Sequence, residues 1–180
     1  GIGREMERAA QEFSRRYARE LGVMMDVRSI SVTANVPFGK VLGASANGRR
    51  AGMPVSDGTS ASQGADSHGP AAVLLSNFNT KNYDNKEREG RLLNIKFTPR
   101  SVAGEEGTRR LMAFLRSFCD LRLWHVQFNV INRETLIEAQ RTPDLYRGLI
   151  VRIAGYSAYF VDLSRDLQND LIARTSHDAW

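Results

Sequence analysis

Arg28 and Gly155 are the two positions in this 180-residue sequence whose surroundings suggest chemistry. Arg28 opens a predicted strand among apolar neighbours such as Met25 and Val27. A guanidinium in an apolar neighbourhood is costly unless it meets an anion. Two anions remain open for Arg28: a carboxylate elsewhere in the chain, or a small anionic ligand bound at the end of the strand.

Gly155 ends a β-branched run and is followed by three aromatic side chains. The run is Leu-Ile-Val-Arg-Ile at 149–153, and the aromatic residues are Tyr156, Tyr159 and Phe160. A glycine at the end of a strand indicates that the backbone needs a conformation, or a close approach, that a side chain would prevent. On these residues alone, the stretch predicts a tight turn wrapped in aromatic side chains.

The usual catalytic and metal-binding patterns are missing from the sequence. His68, His125 and His177 lack the spacing of zinc ligands, and neither a Gly-x-Ser-x-Gly elbow nor a Walker loop occurs. Cys119 lies beside the apolar face of a predicted helix, where a cysteine is usually a small buried hydrophobe. We therefore expect no metal site and a core position for Cys119.

The composition narrows the partners and the compartment. The formal charge is +5, but basic residues alternate with acidic ones, which argues against nucleic acid as a partner. No apolar run approaches the ~20 residues of a membrane span. A single cysteine excludes an internal disulfide and fits a reducing compartment. We expect a cytoplasmic protein that binds neither nucleic acid nor membrane.

Hydrophobic periodicity predicts the elements that must position these residues. Predicted helices cover 3–25, 70–77, 105–119, 133–140 and 165–175, with a short helical turn at 143–146. Predicted strands cover 27–36, 92–97, 124–131 and the run that leads to Gly155. Segments 37–69 and 79–91 are predicted as loop and polar linker. This alternation favours a mixed α/β unit with helices packed outside a sheet.

Several predicted helices also carry signals for their ends and for their buried faces. Asn132 and Ser164 are placed to cap the helices that follow them, and Gly22 falls at the end of the first helix. The helix at 105–119 is expected to bury four side chains on one face, Leu111, Met112, Leu115 and Phe118.

Several blocks of the sequence resemble the glycyl radical enzymes. Residues 152–160, Arg-Ile-Ala-Gly-Tyr-Ser-Ala-Tyr-Phe, together with 162–164 and 167–175, resemble the C-terminal signature of that family. The similarity extends, in the family order, to blocks at 31–40, 48–52, 54–70, 127–130 and 132–136. The chain also begins abruptly in helical sequence, which suggests a piece of a longer protein.

The resemblance implies a fold and a division of the chain. It implies the C-terminal part of a ten-stranded α/β barrel, built of two five-stranded half-barrels, with the radical loop inserted into the barrel. Residues 1–130 would supply the last barrel strands and helices, and residues 131–180 the glycine radical domain. A homodimer is expected, in the cytoplasm or inside a bacterial microcompartment.

The resemblance also implies roles for particular residues. Gly155 would lose a hydrogen from its Cα and store an unpaired electron, while Arg152, Tyr156, Ser157 and Tyr159 support the loop. Tyr156, Tyr159 and Phe160 would seal it against oxygen and water. No cofactor would be bound, because a radical SAM activating enzyme installs the radical. The catalytic cysteine that becomes a thiyl radical lies upstream in the family, so the rest of the barrel would supply it, and Cys119 is not given that role.

Residues 154–160 resemble the dehydratase and C–X lyase branch of the family, which works anaerobically on small molecules. Residues 53–66 favour sulfite-lyases that act on hydroxysulfonates such as isethionate or dihydroxypropanesulfonate, and Arg28 would suit a sulfonate. A diol or glycerol dehydratase, an arylacetate decarboxylase, and a spare-part protein that restores a damaged glycyl radical enzyme remain alternatives. A reading frame of about this length would favour the spare part, and a longer one with an upstream Cys-x-Glu would favour the enzyme.

Overall fold

The computed structural model describes residues 2–24, 34–80, 91–178 and 180. Helices in these ranges are α1 (Ile2–Leu21), α2 (Asn35–Val41), α3 (Gly69–Thr80), α4 (Gly104–Asp120), α5 (Arg133–Arg141) and α6 (Arg165–Ala173). Strands are β1 (Leu92–Phe97), β2 (His125–Val130), β3 (Ile150–Arg152), β4 (Ser157–Tyr159) and β5 (Ser176–His177). Short 3₁₀ turns cover Pro99–Val102, Pro143–Tyr146 and Phe160–Asp162. None of the helices in the described ranges is both long and apolar enough to span a membrane.

Two small sheets organise these elements. The first has the strand order β2-β1-β5, and β1 runs parallel to both neighbours. The second is the antiparallel pair β3-β4, which holds Gly155 between its strands. The predicted α/β character is thus confirmed, as are the strands β1 and β2.

The two faces of the first sheet have different chemistry because side chains alternate along a strand. Leu93, Ile95 and Phe97 point to one side of β1 and pack against α3 and α4. Leu92, Asn94 and Lys96 point to the other side. The register places Asn94 beside Gln127 and Lys96 beside Asn129 on β2, so this second face is lined with polar groups.

The apolar core next to this polar face surrounds the second sheet. It is formed by side chains from β1, from α5, from the β3-β4 hairpin and from α6, namely Leu92, Leu136, Ala139, Val151, Ile153, Ala154, Phe160, Leu171 and Ile172. Because residues 151, 153 and 154 lie within this core, the strand that leads to Gly155 is anchored by burial.

The predicted strand at 27–36 is wrong at its C-terminal end. Residues 34–36 lead into α2, and Asn35 and Val36 are buried there. Pro37 is the third residue of that helix, where its missing N–H costs no intrahelical hydrogen bond. Residues 27–33, including Arg28, lie outside the described residues.

The apolar face predicted for α4 is corrected, and α1 shows a similar exposure of apolar side chains. In α4 the core side chain is Phe114, while Met112 and Leu115 are exposed. In α1 the apolar side chains Met6, Phe13 and Leu21 are largely exposed. In both helices the spacing correctly predicted a helix, but several apolar side chains share a stripe and only neighbouring elements decide which ones are covered.

Candidate functional site

Gly155 lies at the tip of the β3-β4 hairpin. The strands pair with Arg152 opposite Ser157, and the N–H of Ile153 donates to the carbonyl of Tyr156 at 3.0 Å, which leaves Ala154 and Gly155 as the tip. Gly155 has a φ of +84°, the left-handed region that turns reserve for glycine at this position. The sequence predicted the turn but not β4, because three residues are too few to show a strand period.

Among the described residues, a methyl group at Gly155 would have room. A Cβ built there would meet only the Leu92 side chain within that part of the chain, at an ordinary 3.8 Å. As far as the described residues go, the requirement for glycine at this position is therefore one of backbone conformation and not of space.

The predicted aromatic seal is only partly formed in the described part of the chain. Phe160 is completely buried, but Tyr156 and Tyr159 are 49% and 48% exposed. Gly155 itself is exposed at the hairpin tip. The two residues that precede Gly155, Ile153 and Ala154, are buried and so are shielded from solvent.

Arg152 connects the hairpin to the polar face of the first sheet. Its Nε and Nη2 donate to the side-chain oxygen of Gln127, at 3.1 and 2.7 Å, and its Nη1 donates to Ser157 Oγ at 3.0 Å. Gln127 in turn donates to Asn94, which donates to Asp57. The predicted supports Arg152 and Ser157 therefore contact each other directly.

Asn129 holds the backbone of Arg152, two residues before the tip. Its side-chain oxygen accepts from the N–H of Arg152 at 2.8 Å, and its Nδ2 donates to the carbonyl of Arg152 at 2.7 Å. These are the two bonds that a neighbouring strand would make. A single carboxamide thus joins the edge strand β2 to the hairpin.

Arg174, just after α6, holds the next carbonyl. Its Nη1 donates to the carbonyl of Ile153 at 3.0 Å and also lies 3.0 Å from Asp57 Oδ2. Its Nη2 lies 2.9 Å from Asp170 Oδ2. Burial raises the pKa of Asp57 above its usual value, although the Arg174 charge and the Asn94 hydrogen bond act in the opposite direction. The guanidinium of Arg174 therefore connects the hairpin at Ile153, the loop at Asp57 and the helix α6 at Asp170.

Lys96 supplies a second buried positive charge beside the Arg174 guanidinium and its two carboxylates. Its Nζ donates to the carbonyls of Leu171 at 3.0 Å and Ile172 at 3.4 Å, in the last turn of α6. Burial, with a further contribution from the Arg174 charge, lowers its pKa to about 8. A cavity of about 40 Å³ lies among Asp57, Lys96 and Arg174, large enough for little more than water.

The other predicted candidates lie elsewhere. Cys119 is exposed on α4, so its predicted core position is wrong: it lies on the outer side of the helix from Phe114. His68 and His125 are exposed, whereas His177 is buried with its Nε2 3.4 Å from Asp66. Arg28 falls among the residues that are not described.

Most residues of the network around the hairpin were not predicted as site residues. Gln127 and Asn129 were noted only as part of a similar block. Their signal was available, because two amides at alternating positions of a strand must share one face. Asp57 and Arg174 gave no comparable signal, since 117 positions in the sequence separate them and only the fold brings them together.

Comparison with known proteins agrees with the hairpin geometry. The family described as "Glycine radical" matches residues 55–161, which include Gly155 and the whole β3-β4 hairpin. This α/β chain therefore belongs to the glycine radical family.

Individual relatives and solved structures of this family show which enzymes the chain is similar to. The chain is 64% identical over 99% of its length to isethionate sulfite-lyase of Oleidesulfovibrio alaskensis, of which it covers 22%. It is 42% identical over 83% of its length to trans-4-hydroxy-L-proline dehydratase of Clostridioides difficile, of which it covers 18%. Among solved structures, the glycerol-bound B12-independent glycerol dehydratase of Clostridium butyricum matches with a TM-score of 0.78 and 38% identity, over 97% of this chain and 23% of that one. The chain thus spans about a fifth of the length of its relatives.

Proposed function

We propose that Gly155 stores the radical of a glycyl radical lyase that cleaves a C–S bond. The observation that carries the proposal is the 64% identity to an isethionate sulfite-lyase over nearly the whole chain. The site supports it as well, since Gly155 stands at a hairpin tip whose preceding residues are fixed by Asn129 and Arg174.

Glycine suits a stored radical for a physical reason. Without a side chain, the Cα radical becomes planar between an amide nitrogen and a carbonyl, and both delocalise the electron. The α-hydrogen of Gly155 is removed by a radical SAM activating enzyme, so the protein needs no bound cofactor. The support residues Arg152 and Ser157 keep the strands paired during the reaction.

The radical acts through a cysteine that the rest of the barrel supplies. The hydrogen of that thiol moves to the Gly155 Cα, which leaves a thiyl radical. The thiyl takes a hydrogen atom from the substrate, and the substrate radical expels the neighbouring group together with the hydroxyl proton. The product radical then takes a hydrogen atom back from the cysteine thiol, which restores the thiyl radical. Cys119 is unsuited to this step because it is exposed on α4, outside the hairpin core.

The proposed substrate is a small hydroxysulfonate such as isethionate, with sulfite as the leaving group. Identity of 64% to the sulfite-lyase against 42% to the hydroxyproline dehydratase favours this class. Arg28 is proposed to bind the sulfonate, because a guanidinium fork matches its oxygens. The 38% identity and TM-score of 0.78 to the glycerol dehydratase make a diol the second candidate.

The complete protein is proposed to form the ten-stranded barrel of its relatives and to act as a homodimer. Residues 1–130 would provide barrel strands and helices, and residues 131–180 the radical domain. The solved relative supports this arrangement, since its similarity covers 97% of this chain.

A substrate assay on the full-length, activated enzyme tests the proposal. Sulfite release from isethionate, with no product from glycerol or 1,2-propanediol, is the expected result. Arg28→Lys is the matched variant, because it keeps the charge but loses the fork, and a raised KM for isethionate is expected. Turnover of the diols with isethionate untouched would replace the lyase assignment with a dehydratase, and an unchanged KM and rate in Arg28→Lys would remove Arg28 from the sulfonate site.

A further inference from the structure

Asn129 and Arg174 fix the backbone that leads to Gly155 at three successive points. Asn129 holds the N–H and the carbonyl of Arg152, at 2.8 and 2.7 Å, and Arg174 holds the carbonyl of Ile153 at 3.0 Å. Each of these partners comes from outside the hairpin: one from the strand β2 and one from the end of α6.

Asn129 bridges a place where the sheet hydrogen bonding stops. Among the described residues, the strand β2 is the edge of the first sheet, and the hairpin forms a sheet of its own. The side chain of Asn129 therefore does what a missing strand pairing would do, but for one residue only. Such a two-point bond fixes the position of Arg152 without continuing the ladder through Gly155.

Arg174 is itself held in place by buried carboxylates. Its side chain is only 11% exposed and pairs with two buried carboxylates, Asp57 and Asp170. Asp170 also accepts from Gln63 at 2.6 Å and from Asn35 at 3.2 Å. Burying charge is costly and contributes little net stability, so a network of this size is better explained by the geometry that it fixes.

We propose that Asn129 and Arg174 are positioning residues that set the place of the Gly155 Cα relative to the group with which it exchanges hydrogen. The inference rests on the proposed radical function of Gly155. Hydrogen transfer is sensitive to distance, and a displacement of about 1 Å costs on the order of 100-fold in rate. Loss of either residue should therefore leave a radical that forms but is used poorly.

The test uses the full-length enzyme with its activating enzyme and three substitutions. Asn129→Asp keeps an acceptor for the Arg152 N–H and removes the donor to its carbonyl. Arg174→Lys keeps the charge and cannot reach both carboxylates and the carbonyl. Asn132→Asp is the control, because it makes the same chemical change at an exposed position where the side chain caps no N–H.

The readouts are the spins per chain, the splitting of the EPR doublet, and the turnover per spin. A merely structural defect lowers the amount of folded enzyme and the spins, but leaves turnover per spin unchanged. We expect Asn129→Asp and Arg174→Lys to accept the radical, to alter the doublet splitting, and to lose at least tenfold in turnover per spin, while the control matches the wild type. Wild-type splitting with turnover per spin within twofold in either variant that folds would overturn the positioning role of that residue. Absence of any doublet in the wild-type enzyme would instead refute the radical assignment, and the positioning role with it.

Discussion

Alanine substitutions at Gly58 and Gly155 separate two reasons for a glycine in this structure. Both residues have a positive φ, +59° and +84°. A Cβ at Gly58 would overlap the carbonyl oxygen of Leu92, whereas a Cβ at Gly155 meets only a side chain at 3.8 Å. The structure therefore predicts very different effects of the same change.

The expected losses follow from these contacts. Left-handed backbone costs a residue with a Cβ roughly 1–2 kcal/mol, and this applies at both positions. At Gly58 the overlap adds roughly 1–3 kcal/mol of overpacking. It also threatens two hydrogen bonds to the Leu92 carbonyl, from Thr59 N at 2.8 Å and Thr59 Oγ1 at 3.1 Å, of about 1 kcal/mol each. Gly155→Ala should thus cost about 1–2 kcal/mol, and Gly58→Ala about 4–7 kcal/mol.

Urea denaturation of the full-length, unactivated enzyme measures the difference. The midpoint of Gly155→Ala should lie close to that of the wild type, and the midpoint of Gly58→Ala well below it. If Gly155→Ala lowers the midpoint as much as Gly58→Ala does, then position 155 needs glycine for packing, and the conformational explanation is wrong.

Three further predictions concern single interactions and use four substitutions in the same denaturation assay. The pKa of Lys96 is lowered to about 8 in the folded state, so between pH 8 and 10.5 the folded protein has released this proton and the unfolded chain still holds it. The free energy of unfolding of the wild type should therefore rise by about 3 kcal/mol across this range, and that of Lys96→Met should stay flat. A parallel pH dependence in both proteins would contradict this prediction. Burial would raise the pKa of Asp66, but hydrogen bonds from His177 and Thr175 outweigh it and lower this pKa. The wild type should therefore lose stability as the pH falls below 3.8, and Asp66→Asn should lack that loss. Equal acid sensitivity of the two proteins would contradict this prediction. The Ser164 side chain caps α6, so Ser164→Ala should cost about 1 kcal/mol of stability. The Asn132 side chain makes no cap hydrogen bond, so Asn132→Ala should cost less. Equal losses in the two variants would mean that the cap hydrogen bond of Ser164 does not stabilise the helix.

The sequence predicted regular elements where local signals agreed. The strands β1 and β2 and the helices α4 and α5 follow from periodicity, and Ser164 was correctly placed as a cap. Where two local signals conflicted, the prediction failed. The β-branched residues before Pro37 indicated a strand, but proline is also acceptable in the first turn of a helix, and the chain continues as α2.

The candidate site was predictable at its centre and not at its periphery. Gly155 was singled out because residues 152–160 resemble the glycyl radical signature, whereas the glycine with its β-branched and aromatic neighbours alone predicted only a tight turn. Asp57 and Arg174 meet only through the packing of a loop against α6, and no local pattern reports that meeting. The exposed fraction of a side chain could not be predicted from the sequence either. Tyr156 and Tyr159 have the residue type and spacing of core residues, yet about half of each side chain is exposed in this chain.

An EPR spectrum of the activated full-length enzyme tests the central claim most directly. The enzyme would be treated anaerobically with the radical SAM activating enzyme, S-adenosylmethionine and a reductant, beside Gly155→Ala. A doublet from one coupled α-hydrogen, absent in Gly155→Ala, is the predicted result, and brief exposure to air should then cleave the chain at Gly155. No doublet from folded wild-type enzyme, with an activating enzyme that works on another protein, or a doublet that survives in Gly155→Ala, would contradict the assignment of the radical to this residue.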